Sequence, residues 1–455
     1  MSPEVIALLA LAVVFLVATV TSAHMGALAL VAAFLVGGLV YGIDADEVLA
    51  GFPGSMFVIL VGVTYLFALA KNNGTVDWLV HASVRVAGGR IAAVPVVMFL
   101  VPAAITAIGA AAPAACAIII PIALRFARRY AINPLLMSMM VIQGTTAGGF
   151  SPIGIYGVIV NGVTGDAGLP TAPGMLFLGT FCTTAALGAV AYFALGGRQL
   201  IGRRRAVVSE AARADDTPAA MVAAPAPTGG ASADGSTGTV TRPRTAPDDV
   251  ETDGVPELDT QRLLTLGGLV GLVIATLVFD LHVGLVALAI AVLLTIAFPQ
   301  NAKGAVDRIA WPTVLLIGGI MTYIAMLEDQ GTVEWLGHGI AGISTPLLAA
   351  FVLLLIGAVV SAFASTTALL GAVIPLATPF LLTGNISVIG VIVALCIASS
   401  VVDCSPLSTM GALAVANSPK EQADRVFRGL MVWGMSLVVI APVVTWAALV
   451  LPSSF

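Results

Sequence analysis

The stretch Ala362-Phe363-Ala364-Ser365-Thr366-Thr367, followed further on by Asp403-Cys404-Ser405-Pro406, interrupts what is otherwise a continuous apolar run from Gly357 to Asn417. Small, hydroxyl-bearing and proline residues in such a setting read as breaks in membrane helices, because exposed backbone is tolerated at that depth only where protein or a polar cavity surrounds it. The same plan occurs once before. Sliding back 254 positions lays Pro121-Ile122-Ala123 under Pro375-Leu376-Ala377, Ser151-Pro152 under Ser405-Pro406 and Gly157 under Gly411. Upstream, Gly74-Thr75-Val76-Asp77-Trp78-Leu79-Val80-His81 lies under Gly331-Thr332-Val333-Glu334-Trp335-Leu336-Gly337-His338. Two copies of one unit with paired breaks are the pattern of a transporter whose binding site forms where the breaks meet.

Composition agrees. Of 455 residues, 59% are hydrophobic and 9% charged, against roughly 25% charged in ordinary soluble domains. The chain therefore reads as an all-α polytopic membrane protein. The first apolar run follows only Met1-Ser2-Pro3-Glu4, without a basic residue, and is expected to be a retained span. Cys116, Cys182, Cys396 and Cys404 show neither metal nor disulfide spacing, and His24, His81, His282 and His338 are scattered.

Along the chain, residues 1–197 read as one repeat, with scaffold spans within 5–70, a re-entrant hairpin over 91–129, a broken span over 133–160 and a last span over 173–195. Residues 259–455 repeat the order: scaffold spans within 263–327, a hairpin over 346–382, a broken span over 386–416 and a last span over 429–450. Between them, 198–258 is rich in Ala, Pro, Thr, Gly and Asp and reads as a disordered linker. Short amphipathic helices at Thr75–Ala87 and Thr332–Ile340 are expected in the interface.

Five crossings per half, with a hairpin that does not cross, force the halves to be inverted. With both termini outside, all 19 lysines and arginines fall on the cytoplasmic side, including the linker and the Arg125, Arg128 and Arg129 cluster. The outer loops carry Asp44, Asp46, Glu47, Asp166, Asp280, Glu328, Asp329 and Glu334. That separation is the positive-inside bias expected of a correct assignment.

Hydroxyls gather at the breaks. Thr145, Thr146 and Ser151 mark the first gap, Ser365, Thr366 and Thr367 the second tip, and Ser399, Ser400, Ser405, Ser408 and Thr409 the second gap. Helix packing by such residues is the bland alternative. The expected substrate residues are Thr145, Thr146, Ser365, Thr366 and Thr367; Gly148, Ser151, Asp403 and Ser405 are expected at a cation. Asp403 is the only carboxylate within its apolar segment, and no basic residue lies within a span to pair with it, so a cation, a proton or a hydrogen-bonded structural role is expected there. An anion would have to be held by backbone N–H groups, hydroxyls and a bound cation.

On these motifs the sequence resembles the ion transporter superfamily, in particular the divalent anion:sodium symporters and the malonate/dicarboxylate carriers of the MatC type. The likeness spans the chain outside the linker. It implies an elevator-type secondary transporter of small carboxylates such as malonate, succinate or malate, coupled to sodium or protons, and a homodimer through the scaffold spans in a cell membrane. Sodium is implied at Ser151, Ser365, Asp403 and Ser405, with no other cofactor and no nucleic-acid partner. The symporters carry Ser-Asn-Thr at each hairpin tip. Here Ser365-Thr366-Thr367 matches the second triplet with threonine at its centre, whereas the first tip reads Ala111-Ala112-Pro113 and offers no side-chain ligand. An inorganic-ion carrier or a cation/proton antiporter is the alternative within transport. An intramembrane enzyme would need a nucleophile paired with a base, and neither Ser151 nor Ser405 has a histidine in its segment.

Overall fold

The computed structural model describes residues 2–21, 23–86, 90–201, 258–333, 335, 346–362, 366–383 and 386–454. Nearly all of the expected linker, most of the segment after Gly331, and Ser365 at the second tip lie outside these residues. The described chain is helical apart from turns and short connections.

In the first half, α1 (Pro3–Val20), α2 (Met25–Val36), α3 (Ala45–Ala50) and α4 (Gly54–Asn72) precede α5 (Thr75–Val86). A helical hairpin follows, α6 (Val94–Ala107) and α7 (Ala112–Arg129), then the interrupted pair α8 (Pro134–Gly149) and α9 (Ile155–Asp166), and α10 (Pro173–Ala194). The second half supplies α11 (Thr260–Leu277), α12 (Val283–Ala297), α13 (Trp311–Asp329), the hairpin α14 (Pro346–Ser361) and α15 (Thr366–Thr383). Its interrupted pair is α16 (Val388–Ser400) and α17 (Thr409–Ala416), and α18 (Lys420–Thr445) ends it. Five stretches are long and apolar enough to cross a membrane: Gly54–Asn72, Pro173–Ala194, Trp311–Asp329, Val388–Ala416 and Lys420–Val450. The last of these begins nine residues before the expected 429, because Lys420, Glu421, Asp424, Arg425 and Arg428 extend the helix by about two and a half charged turns.

Helix starts follow local chemistry. Proline occupies the first turn of α1, α6, α7, α8, α10 and α13, where its missing N–H costs nothing. Asn133 and Ser387, 254 positions apart, cap the two interrupted helices by accepting from Leu135 N (3.0 Å) and Gly390 N (3.1 Å).

Burial sorts the helices into an inner set and an outer one. The Val388–Ala416 stretch is 89% buried and Pro173–Ala194 only 28%, so the interrupted helices are apolar all round because protein surrounds them, while α10 spends its apolar surface outward. One core cluster joins the hairpins, the interrupted helices and the last helices of both halves. Helices α4 and α13 also reach into it, and two smaller clusters hold α1, α2 and α13 with Ala368 and Ala372 of α15, and α4, α11 and α12. These last two are built alike. A Cβ on Gly26 or Gly319 would run into the facing backbone of α13 or α2, and one on Gly62 or Gly284 into that of α12 or α4. Glycine lets each pair of helices cross at backbone distance, the small-residue packing that membrane helices favour.

Candidate functional site

The two halves interlock at their breaks. Helix α7, the return limb of the first hairpin, packs on α17 beyond the second break, and α15, the return limb of the second hairpin, packs on α9 beyond the first. Both breaks use the same device. The carbonyl of Ser151 sits where a Cβ on Gly157 would be, and the carbonyl of Ser405 where a Cβ on Gly411 would be. The Ser-Pro turn therefore folds onto the next helix only if that position is glycine.

The first break is drawn tight by its serine. Ser151 Oγ donates to the carbonyl of Ala107, at the end of α6, and accepts from Gly154 N at 2.9 Å. In the second break, Ser408 Oγ donates to the carbonyls of Asp403 and, at 2.8 Å, Ser405, and accepts from Gly411 N at 3.2 Å. Asp403 is buried, and its Oδ1 accepts from Thr366 Oγ1 at 2.6 Å. Since the single Thr366 proton is used there, the 2.6 Å contact between Ser361 and Thr366 is a donation by Ser361. The resulting chain, Ser361 to Thr366 to Asp403, fastens the second tip to the second break.

A cavity of about 480 Å3 opens between the breaks and the ends of α1, α2 and α13, within the range of roughly 300–1,000 Å3 usual for small-molecule sites. Its walls include Ala111, Ala112 and Pro113 at the first tip, Ile155 and Tyr156 at the start of α9, Thr367 at the second tip, and Leu407, Ser408 and Thr409 at the second break. Four helices, α7, α9, α15 and α17, thus begin at this cavity. The first N–H groups of a helix have no partner within it and carry its positive partial charge. Among the described residues, no Asp, Glu, Lys or Arg lines it. The arrangement is fit to hold a small anion with dipoles and hydroxyls.

The family model described as the N-terminus of the dicarboxylate carrier protein MatC matches residues 1–149, and the citrate transporter model CitMHS matches residues 270–453. One stretch in each half of the chain is thus similar to carriers of these two kinds. Both matches are to membrane carriers, and the chain is accordingly a membrane transport protein. No curated protein sequence matches it. Its fold is similar to that of the YdaH transporter of Alcanivorax borkumensis, whose crystal structure is described as revealing an unusual topology. That likeness has a TM-score of 0.56 and 14% identity, over 89% of each chain.

Of the residues expected to meet substrate in this carrier, Thr367 lines the cavity and Thr366 lies behind it on Asp403. Thr145 and Thr146 are not at the cavity. Both are buried and donate to the carbonyl of Ile142, at 2.7 and 3.1 Å, and Thr145 also meets Cys116 Sγ at 3.4 Å. Bonds to a carbonyl three or four residues back are the usual fate of a helical threonine hydroxyl. Gly148 is a packing position, closed against Ala103 and the Thr106 hydroxyl. Ser405 is buried, its Oγ accepting from Leu407 N at 3.3 Å. Among the described residues no group of three or more His, Cys, Asp or Glu could hold a metal ion. Sequence reasoning did not bring His24, Thr313 or Tyr156 to the site. The first two lie at the starts of α2 and α13, and only the tertiary fold carries them to the hairpin tips.

Proposed function

We propose that this protein is a secondary active carrier of small carboxylates, dicarboxylates such as malonate, succinate or malate foremost, driven by sodium or protons. The observation that carries this reading is the convergence of four helix N-termini on one cavity without a lining carboxylate. Each terminus contributes roughly half an elementary charge of partial positive potential, and Thr367, Thr409 and Tyr156 add hydroxyls. The matching family models, named for a dicarboxylate carrier and a citrate transporter, point to the same cargo.

The coupling cation is assigned to the breaks behind the cavity, with Ser151, Ser405 and Asp403 as its candidate surroundings; Ser365, also expected at the cation, lies outside the described residues. A cation there would offset the charge of the carboxylate in front of it, so that each ligand improves the site for the other. The halves are taken as inverted repeats with both termini outside and the linker in the cytoplasm. Hairpins, interrupted helices, α10 and α18 would travel together, as an elevator, against α1, α2, α4 and α11 to α13, which would also form the contact of a homodimer. Among the described residues α1, α2, α11 and α12 place no buried residue in the larger core, which supports this division, while α4 and α13 bridge to it.

The test is uptake of radiolabelled malonate, succinate and citrate into proteoliposomes holding the purified protein, with and without an inward sodium gradient and, separately, a proton gradient. Gradient-dependent accumulation of one of these acids, reduced in Thr367→Val, supports the reading. Cation-dependent proton movement with no uptake of any acid would instead make it a cation/proton antiporter.

A further inference from the structure

Two histidines hold corresponding places in the scaffold. His24 is the N-cap of α2 and His282 the N-cap of α12, 258 positions later. The same spacing relates Ser55, at the start of α4, to Thr313, at the start of α13. Away from the cavity the pair is closed. His282 Nδ1 accepts from Leu285 N at 3.4 Å, and its Nε2 meets Ser55 Oγ at 3.1 Å. At the cavity the pair is open. His24 makes no capping bond, its Nδ1 is buried without a partner, and no hydrogen bond joins it to Thr313. Both His24 and Thr313 line the cavity.

A buried polar atom left unpaired costs free energy, and one imidazole in two is left so at the wall facing the four helix N-termini. Among the described lining residues His24 is also the single one able to carry positive charge, in a cavity otherwise furnished with dipoles and hydroxyls. We infer that His24, with Thr313 beside it, forms a scaffold-borne contact for one carboxylate group of the substrate, opposite the contacts made by Thr367, Thr409 and the first tip. Neutral or protonated, the ring has an N–H to donate. A two-ended anion would then be held on one end by the hairpins and breaks and on the other by the scaffold, which selects for dicarboxylates over monocarboxylates. The inference rests on the carboxylate reading above, and adds the residue and the preference.

The test is equilibrium binding of radiolabelled malonate and of acetate to the full-length protein in lipid nanodiscs, with thermal unfolding run in parallel to verify folding. Loss of a charge-assisted hydrogen bond is expected to weaken malonate binding roughly tenfold in His24→Ala and several-fold in Thr313→Val. His24→Gln, which keeps a donor, recovers most of the affinity, and acetate binding changes little in any of them. His282→Ala, away from the cavity, keeps malonate binding within about twofold of the parent. Thr313→Val serves alone if His24→Ala does not fold. Parent-like malonate binding in both His24→Ala and Thr313→Val, with binding still lost in Thr367→Val, overturns the His24 assignment and leaves the carrier reading standing. Absence of malonate, succinate and citrate binding in the parent protein defeats the carboxylate reading itself, and the His24 contact falls with it.

Discussion

Thr366 and Thr367 are neighbours with different surroundings, and substituting each in turn separates holding the fold from holding the cargo. Thr366 is 3% exposed, accepts from Ser361 and donates to Asp403 Oδ1, both at 2.6 Å. Thr366→Val keeps the shape and removes the hydroxyl, which leaves the Ser361 hydroxyl and the Asp403 oxygen buried without those partners. A hydrogen bond to a charged group contributes about 1.5–3 kcal/mol and a neutral one about 0.5–1.5 kcal/mol. The expected loss of stability is thus about 2–4 kcal/mol, measured by denaturant titration of the purified protein in detergent. Thr366→Ser, which restores the hydroxyl, should recover all but about 1 kcal/mol, the cost of one buried methyl group.

A double-mutant cycle gives the sharper test. In an Asp403→Ala background only the Ser361 bond remains to be lost, so Thr366→Val should cost about 1 kcal/mol there, and the coupling between the two positions should be about 1–3 kcal/mol. Strict additivity of the two substitutions would refute the hydrogen-bonded chain. Thr367→Val is expected to behave in the opposite way, weakening substrate binding while leaving the denaturant midpoint near that of the parent, because Thr367 lines the cavity.

Further substitutions test the packing that positions the site. Gly157→Ala and Gly411→Ala each force a methyl group onto the carbonyl of Ser151 or Ser405; overpacking of this kind costs about 1–3 kcal/mol, and both should lower uptake rates in proteoliposomes as the Ser-Pro turns are displaced. Tyr323→Phe removes the fully buried hydroxyl that donates to the carbonyl of Ala7 at 2.8 Å. It should cost about 1–2 kcal/mol in denaturant titration, with the substrate dissociation constant unchanged.

Much of the architecture was legible in the sequence because it depends on local residue chemistry. Prolines and caps set helix starts, and the Ser-Pro turn with glycine six residues after the serine reports a carbonyl pressed on a helix, so its recurrence marks both breaks. The hydroxyls were less informative. Thr145 and Ser408 both belong to clusters at breaks, yet Thr145 bonds inside its own helix while Ser408 faces the cavity, and the difference is one of rotation that composition does not encode. His24 was illegible for another reason. It lies at a span end like the other histidines, and its place at the site depends on how α1, α2 and α13 stand against the hairpin tips.

The first tip, poor as it looks, has a use for its poverty. Ala111 is the N-cap of α7 and makes no side-chain capping bond, whereas Ser408, the N-cap of α17, accepts from Gly411 N. A capping hydroxyl takes an N–H group that a ligand would otherwise meet. Alanine leaves the α7 terminus uncapped, with its N–H groups free for an anion, and Pro113 removes only a donor that was never needed for the helix. Ala111→Ser should therefore stabilise the protein by about 1 kcal/mol and at the same time weaken malonate binding. A serine that instead tightened binding would mean that the tip acts through side chains after all, and that the alanines are a loss rather than a design in which backbone holds the anion.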